Sequence, residues 1–393
     1  MKKVILEQDT KVNFTDPKAL CLLLVSTLTV MSNATIAPAL PGLAKEFAGA
    51  SSVDLLVTML LPIPALFIVL FAPILGFVVD KFGSKKQLII SAILFACSGA
   101  VGAELNSLES IIVSRAVLGI SVAGLMTATT ALIADYFSGK QRGQFMGLQQ
   151  AFSNIGGIVF VVSAGYLATF NPRMPFYIYG AAILLVPIIA FSIIDEPKKH
   201  SISNAIDVTS VSWKSPLIIC STMIFFHLMV FYIMPTQLPF YMEKLEIDDP
   251  SKVGLALGVS TFSAAISALF FARILSKIQS HGVTVLGFFS MSFGLFLLSY
   301  SGSFYLILLA CAFMGVGMGL VLPNFMARGI ALVPENRRGI ASGILTSSIF
   351  VGQFVSPLIS SWLIVELGYE VFFGLVGCFV LGLAFIGFKV LKV

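Results

Sequence analysis

The chain has 393 residues, of which 58% are hydrophobic and only 11% are charged, and its formal net charge is +5. Soluble domains carry charge on about a quarter of their residues, so this composition excludes a water-soluble globular protein. The surplus apolar surface requires lipid, in which helices satisfy their own backbone hydrogen bonds.

Twelve apolar segments are long enough to cross a bilayer, because a helix needs about 20 residues to span about 30 Å of hydrocarbon. We therefore predict an all-α membrane protein of twelve transmembrane helices, numbered here as spans 1 to 12. In chain order the spans are 18–39, 53–79, 87–104, 108–133, 145–169, 175–194, 215–236, 252–275, 283–301, 304–328, 340–364 and 370–390.

The basic residues predict the orientation of these spans. Most of the 24 Lys and Arg residues fall in the two termini and in alternate loops, beginning with the loop between spans 2 and 3. The opposite side carries Lys45, Arg173, Lys244 and Lys252, and Arg115 lies within span 4. Because cytoplasmic loops are enriched in Lys and Arg, we expect a multi-pass protein of the cell membrane with both termini in the cytoplasm.

A polar stretch, 195–214, separates two halves of six spans each, 1–194 and 215–393. Residues recur in the two halves at a constant separation of 196, which predicts two pseudo-symmetric six-helix bundles joined by a cytoplasmic linker. The matching pairs are Arg142 and Arg338, Gly143 and Gly339, Gly147 and Gly343, and Gly156 and Gly352. In transporters built from such parallel repeats, the substrate site lies between the halves near the midplane.

The loop between spans 2 and 3 combines glycines, an acid and a basic cluster. In order these are Gly76, Asp80, Lys81, Gly83, Lys85 and Lys86. Their spacing resembles the loop 2–3 signature of the major facilitator superfamily, and residues 33–41 look like the span 1 pattern of its twelve-helix drug:proton antiporter branch. The resemblance implies the major facilitator fold, alternating access, and a cavity lined by spans 1, 4, 7 and 10.

The same resemblance implies that this loop, from Asp80 to Lys86, is a conformational latch. Asp80 would contact the positive N-terminal end of span 11 when the cavity opens outward. Asp135, at the cytoplasmic end of span 4, matches an acidic position that pairs with Lys85 or Lys86. The alternative is that both acids are solvated loop carboxylates whose ion pairs contribute less than about 1 kcal/mol.

Arg115, followed by Gly119 and Gly124, resembles a second signature of the family. A charge within a span costs at least about 2.5 kcal/mol, so we expect its side chain to face the interior and to have an acidic or carbonyl partner. The resemblance implies proton coupling, and anchoring of an anionic group is a second role. Alternatively, the side chain extends outward to Glu104 or Glu109.

Span 5 matches the antiporter signature only in part. Gly147, Gly156 and Gly165 occupy its glycine positions, and we expect them to serve helix packing. Its Gly-Pro pair is replaced by Phe160-Val161. This departure leaves a nutrient importer or facilitator on the same fold as an alternative to an exporter.

Three further residues are candidates for proton coupling. His227, near the middle of span 7, titrates near neutral pH in its unperturbed form, but it is equally interpreted as a neutral packing residue. Asp54 begins span 2 and Glu104 ends span 3 on the predicted outer side, and a solvated helix-terminal acid is the simpler interpretation of Asp54.

Amide side chains in spans 1, 5, 10 and 11 either line the substrate cavity or form hydrogen bonds between helices, typically for about 1 kcal/mol or less. The candidates for the cavity are Asn33, Gln149, Asn154, Asn324 and Gln353.

The sequence lacks the phosphate-loop, HExxH and CxxC motifs, so we expect no enzyme activity, no cofactor, no metal site and no nucleic-acid partner. The function predicted is proton-coupled efflux of small hydrophobic or amphipathic compounds, such as drugs or a secreted siderophore, by a monomer in the lipid bilayer. Besides the importer or facilitator, a non-transporting membrane sensor or lipid-handling protein is the remaining alternative.

Overall fold

The computed structural model describes residues 16–49, 53–137, 139–194, 213–300, 302–334 and 337–392, and the regular secondary structure of these residues is entirely helical. Spans 3, 4, 5 and 10 are single helices, whereas spans 1, 2, 6 and 7 are interrupted. The helices are Pro17–Ala34 and Leu40–Glu46 (span 1), Val53–Met59 and Ile63–Phe82 (span 2), Ser84–Val101, Leu108–Tyr136, Gly139–Ala168, Pro175–Gly180 and Leu185–Ser192 (span 6), Lys214–Phe231 and Ile233–Lys244 (span 7), Pro250–Ser299, Phe304–Ala331 and Arg338–Lys392. Short 3₁₀ turns, Ala37–Ala39 and Ala181–Leu184, join the pieces of spans 1 and 6.

Ten helical segments of the described residues are long and apolar enough to cross a membrane. Two of them, Pro250–Ser299 and Arg338–Lys389, contain 50 and 52 residues, about twice the length that one crossing requires. Their backbones leave the helical conformation at Gln279 (φ 59°) and at Gly368 (φ 76°). Each therefore folds back as two spans, 8 with 9 and 11 with 12, which confirms the predicted all-α membrane protein with twelve crossings.

Spans 1 and 7 extend further than the hydropathy predicted. The helices continue past positions 39 and 236 to Glu46 and Lys244, because helical hydrogen bonds form in water at the bilayer surface as well as in lipid. Both spans are interrupted just before this extended part, at 35–39 and at Tyr232. Pro38 and Pro235 lie at or just after these interruptions, where a missing N–H prevents continuous helical bonding. The extensions bring charged residues to one end of the molecule.

Serine pairs join equivalent spans in the two halves. The hydroxyls of Ser26 and Ser153 lie 3.3 Å apart between spans 1 and 5, and those of Ser221 and Ser348 lie 2.6 Å apart between spans 7 and 11. The two pairs are related by a shift of 195 residues in both members. The same helix–helix contact therefore occurs once in each half of the chain.

Backbones of the two halves approach each other closely where spans 5 and 8 cross. A Cβ atom placed on Gly165 would lie 2.9 Å from the Cα of Gly254 and 2.8 Å from the carbonyl oxygen of Pro250. Small residues permit this close backbone approach between membrane helices. Gly156 is similarly confined, since its added Cβ would lie 2.7 Å from the Cβ of Thr27.

Gly147 differs from the other two glycines of span 5. An added Cβ at this position meets nothing within 4 Å. We expected Gly147 to serve helix packing. In this conformation it has no such contact with a neighbouring helix, because the start of span 5 stands away from its neighbours.

We predict that Gly165→Ala destabilises the protein by about 1–3 kcal/mol, as overpacking does, because the methyl group meets backbone atoms of span 8 that have no rotamer to change. Thermal unfolding of the purified protein in detergent measures this effect. Gly147→Ala, on the same helix, is the matched control and should unfold at the wild-type temperature. Equal unfolding temperatures for the two variants would contradict the assignment of the crossing point.

Candidate functional site

A cavity of about 1190 Å³ lies between the two halves of the chain. Its walls come from spans 2, 4, 7 and 11, and they extend to Asp80 and Ile340 at the predicted cytoplasmic ends of spans 2 and 11. The resemblance implied spans 1, 4, 7 and 10 as the lining. Spans 2 and 11 take the place of 1 and 10 because the halves are separated at the end where these two spans face each other.

The lining of this central cavity is mainly aliphatic and aromatic, with hydroxyl groups between. Met126, Phe225 and Phe350 represent the apolar part. Thr127, Thr130, Ser221, Thr222, Ser342, Thr346, Ser347 and Ser348 supply the hydroxyls. Sequence reasoning missed these residues, although their spacing of three or four within spans 4 and 11 places them on common helix faces.

Asp80 is the charged residue among the described side chains that line the cavity. It lies exposed at the end of span 2, and Gly83 follows in the turn to span 3 with φ of 92° and ψ of 150°. Side chains other than glycine rarely adopt this backbone conformation, so Gly83 is required by the turn itself. Lys81 and Lys86 are exposed, Lys85 is half-buried, and all three lie at the same end of the molecule as Asp135.

Arg115 is fully buried, with 0% of its surface exposed, between spans 3, 4 and 6. Its Nη2 donates to the carbonyl oxygen of Gly99 at 3.1 Å. Its guanidinium carbon lies 4.7 Å and 4.6 Å from the ring centroids of Phe176 and Tyr179. The carbonyl partner was expected, and the two aromatic faces stabilise the cation by cation–π attraction.

The structure does not direct Arg115 to the acids at the membrane surface. The Glu104 carboxylate accepts a hydrogen bond from the hydroxyl of Tyr177 instead. The Nε and Nη1 atoms of Arg115 have no hydrogen-bond partner among the described residues. Arg115 is also absent from the lining of the central cavity, so in this conformation it does not reach a substrate there.

His227 lies inside the C-terminal half, with no exposed surface. Its Nε2 lies 3.3 Å from the sulfur of Met318, and its ring meets that of Phe288 at 5.9 Å, edge to face. It therefore packs toward spans 9 and 10 and does not line the central cavity. The side chains of Asp54 and Asn33 lie outside those that the structure describes.

The amides predicted for the cavity lie elsewhere in this conformation. Asn324 is buried and bonds to span 9, through the hydroxyls of Ser280 and Thr284 and the Ser280 carbonyl oxygen. Asn154 accepts from Gln150 on its own helix. Gln149 and the buried Gln353 are not part of the cavity lining either. Periodicity did not reveal which face they occupy because the spans are apolar all round.

The opposite end of the molecule is closed. Lys45, at the end of span 1, forms an ion pair of 2.6 Å with Glu243, at the end of span 7. Below this pair, the hydroxyl of Tyr232 donates to the carbonyl oxygen of Leu61 at 3.4 Å, again between the two halves. The central cavity is thus accessible from one side, the side predicted to be cytoplasmic.

The closed end has opposite charges at equivalent positions of the two halves. Lys45 and Glu243 are equivalent, since both follow the repeated Leu-Pro pair at the same distance. Next to them, Glu46 pairs with Arg173 at 2.6 Å, and Lys244 pairs with Glu370 at 2.9 Å. Glu46 and Lys244 occupy equivalent positions of the two halves, and so do Arg173 and Glu370, but the signs of their charges are opposite. Positive and negative side chains therefore alternate along the closed end, in the order Arg173, Glu46, Lys45, Glu243, Lys244, Glu370.

Comparison with known proteins gives consistent results. A sequence profile of the Major Facilitator Superfamily matches residues 22–329 and 249–393. The quinolone resistance protein NorA of Staphylococcus aureus is 26% identical over 334 residues, 83% of this chain and 84% of that protein. Multidrug resistance protein 1 of Bacillus subtilis is 25% identical over 315 residues, 78% of this chain and 80% of that protein.

Solved structures share the fold at low identity. A D-xylose-proton symporter aligns with a TM-score of 0.78 and 16% identity, over 96% of this chain and 98% of that one. The nucleoside transporter NupG aligns with a TM-score of 0.75 and 14% identity, over 95% and 99% of the two chains.

We predict that Lys45→Glu opens the closed end, because it places like charges across the gap to Glu243. The reporter is Leu61→Cys, in a background without the native cysteines, because Leu61 is buried and its carbonyl oxygen accepts the Tyr232 hydrogen bond between the halves. An exposed ion pair contributes up to about 1 kcal/mol, so labelling of the introduced thiol by a membrane-impermeant maleimide should rise about two- to fivefold. The exchanged pair Lys45→Glu with Glu243→Lys should restore the original rate, and a rate that stays high would show that the pair does not hold this end closed.

Proposed function

The chain belongs to the major facilitator superfamily of membrane transporters, and from this premise we propose that it exports small hydrophobic or amphipathic compounds in exchange for protons. Transport proceeds by alternating access of the central cavity to the two sides of the membrane. The observation that carries the proposal is the character of the cavity, which is large, predominantly apolar, and provided with hydroxyls and one carboxylate.

The size and chemistry of the cavity support bulky apolar substrates. Its volume of about 1190 Å³ exceeds the range of about 300–1,000 Å³ that is usual for small-molecule sites. Hydroxyl groups rotate and either donate or accept, so they serve substrates of varied shape. The names of the relatives NorA and multidrug resistance protein 1 refer to resistance, which agrees with export of drugs by this chain.

The asymmetry of the two ends supports alternating access. With the cavity open toward Asp80, on the side predicted to be cytoplasmic, and closed at Lys45 and Glu243, the molecule is in an inward-open state. When the cytoplasmic side closes, Asp80 approaches the N-terminal end of span 11, whose dipole favours an anion. The basic residues of the loop and Asp135 stabilise that state.

The proposed proton coupling involves two charged residues, Asp80 and Arg115. Asp80 carries a charge in the cavity itself, whereas Arg115 acts from behind it, through spans 3, 4 and 6. A buried arginine with two unpaired nitrogen atoms gains stability from any rearrangement that supplies an acceptor. We assign Arg115 to the coupling of the gradient to this rearrangement, not to substrate contact.

The alternative is an importer or facilitator, favoured by Phe160-Val161 in place of the Gly-Pro of antiporters. A sugar or nucleoside presents many hydrogen-bonding groups, and the described lining of the cavity contains no Asn or Gln side chain. The chemistry of the cavity therefore supports the exporter over a carrier of such nutrients.

Transport into proteoliposomes tests the proposal, with a fluorescent rhodamine methyl ester as the probe and a pH dye in the lumen. For protein inserted with its cytoplasmic face outward, an acidic lumen should drive accumulation of the rhodamine, and the lumen should become more alkaline as protons leave. The membrane potential is clamped, and protein-free vesicles are the control. Equilibration without any pH change would indicate a facilitator, and no protein-dependent movement of the probe would refute transport of this class of compound.

Asp80→Asn should reduce gradient-driven transport at least tenfold, because an amide is not attracted to the N-terminal end of span 11 as a carboxylate is. The amount of protein in the membrane should not change. Glu109→Gln, which removes an exposed acid at the opposite end, is the control and should transport normally. Wild-type flux in Asp80→Asn would remove this residue from the transport cycle.

Arg115→Lys should uncouple transport from the gradient even though the charge remains, because an ammonium group lacks the planar surface that stacks between two rings. Accumulation of the rhodamine should become independent of the pH of the lumen. Tyr179→Phe keeps the ring face and should remain coupled. If Arg115→Lys responds to lumen pH as the wild type does, Arg115 has no part in coupling.

A further inference from the structure

A second, smaller pocket of about 340 Å³ lies between spans 7, 11 and 12. Its rim is formed by exposed apolar side chains, among them Ile359 (41% exposed), Leu375 (54%) and Phe379 (41%). In a membrane-spanning protein these side chains face hydrocarbon. The pocket therefore opens toward lipid, and its natural occupant is apolar.

The pocket is elongated along the helices. On span 11 its lining extends from Ser356 to Leu367, and on span 12 from Phe372 to Phe379. At 1.5 Å per residue these stretches correspond to about 16 Å and about 10 Å. A narrow space of this length fits an extended hydrocarbon chain better than it fits a compact ring system.

One polar group in the pocket has no partner. Ser356 is 1% exposed, and its hydroxyl forms no hydrogen bond with any described residue. The neighbouring Ser360 differs, because its hydroxyl accepts from Nε2 of Gln237 at 3.0 Å. A buried hydroxyl without a partner is unfavourable, so Ser356 indicates a ligand that carries a hydrogen-bonding group beside its apolar chain.

Phe226 lines both this pocket and the central cavity. Its ring is held edge to face between Phe225, at 5.2 Å, and Phe379, at 5.4 Å. This aromatic side chain is therefore shared by the walls of the two spaces. Side-chain rotation is faster than movement of whole helices, so a rotation of Phe226 is the smallest change that could connect the two spaces.

We propose that this tail pocket holds the hydrocarbon tail of an amphipathic substrate whose head group occupies the central cavity. Phe226 swings aside to let the tail pass, and Ser356 bonds to a neutral polar group, such as an ester, near the start of the tail. The inference rests on the proposed function, because the occupant is the transported molecule itself. The tail pocket selects for substrates with a flexible chain.

The test compares two probes that share a head group, the methyl ester and the hexyl ester of rhodamine, in the proteoliposome assay. Ile359→Trp fills the rim of the tail pocket and should raise the KM for the hexyl ester about fivefold or more, with the methyl ester unchanged. Leu358→Trp is the matched control, since Leu358 is its neighbour, is 42% exposed and does not line the pocket. It should leave both probes unaffected.

Ser356→Ala provides a second test that adds no volume. It should raise the KM for the hexyl ester about three- to tenfold, which corresponds to one hydrogen bond. The methyl ester should be unaffected, because without a tail in the pocket nothing holds its ester group beside Ser356. This variant decides the question if Ile359→Trp fails to transport even the methyl ester. Changes that are equal for both esters, or no change in either, would overturn the tail pocket while leaving the exporter intact. If the wild type moves neither ester, the proposed function itself fails.

A structural lipid is the competing occupant. In that case the ratio of the two KM values would match the wild type in both variants, and native mass spectrometry would detect fewer retained phospholipid molecules in Ile359→Trp than in Leu358→Trp. That combination of results would refute a role of the pocket in substrate binding.

Discussion

A hydrocarbon solvent offers neither hydrogen bonds nor dielectric screening, and this constraint determines where the polar groups of the chain lie. Carboxylates and ammonium groups collect at the ends of the spans, where they hold one end of the molecule closed and mark the open end of the cavity. Arg115 is the exception, and it is enclosed by two aromatic rings and a backbone carbonyl. Within the spans, hydroxyl and amide groups bond mostly to neighbouring helices or to their own backbone.

The same constraint explains how large movements remain possible. Where the two halves meet, backbone lies against backbone at Gly165 and Gly254, and the charges that join them lie at the water-exposed ends. Neither contact requires a polar group to be exposed to lipid when the halves tilt. The central cavity, with its rotating hydroxyls and its aromatic walls, tolerates such a change of shape better than a rigid network of amides would.

Hydropathy and charge were sufficient to predict the spans, because a lipid solvent requires apolar side chains within each span and charged side chains at its ends. They did not predict which side chains line the cavity. Asn324 was a candidate for the cavity and His227 for proton coupling, yet Asn324 bonds to span 9 and His227 packs toward spans 9 and 10. In helices that are apolar on every face, no amphipathic pattern indicates the inward side. Thr127 and Ser348 were overlooked because hydroxyls in membrane helices ordinarily bond to their own backbone, as both also do here.

The exchanged charges at the closed end have a consequence for which halves can pair. If two copies of the N-terminal half assembled as a symmetric dimer, Lys45 would meet Lys45, and two copies of the C-terminal half would bring Glu243 against Glu243. Either homodimer would repel itself at the symmetry axis. Pairing of one half with the other brings opposite signs together, and the covalent link between the halves guarantees that pairing.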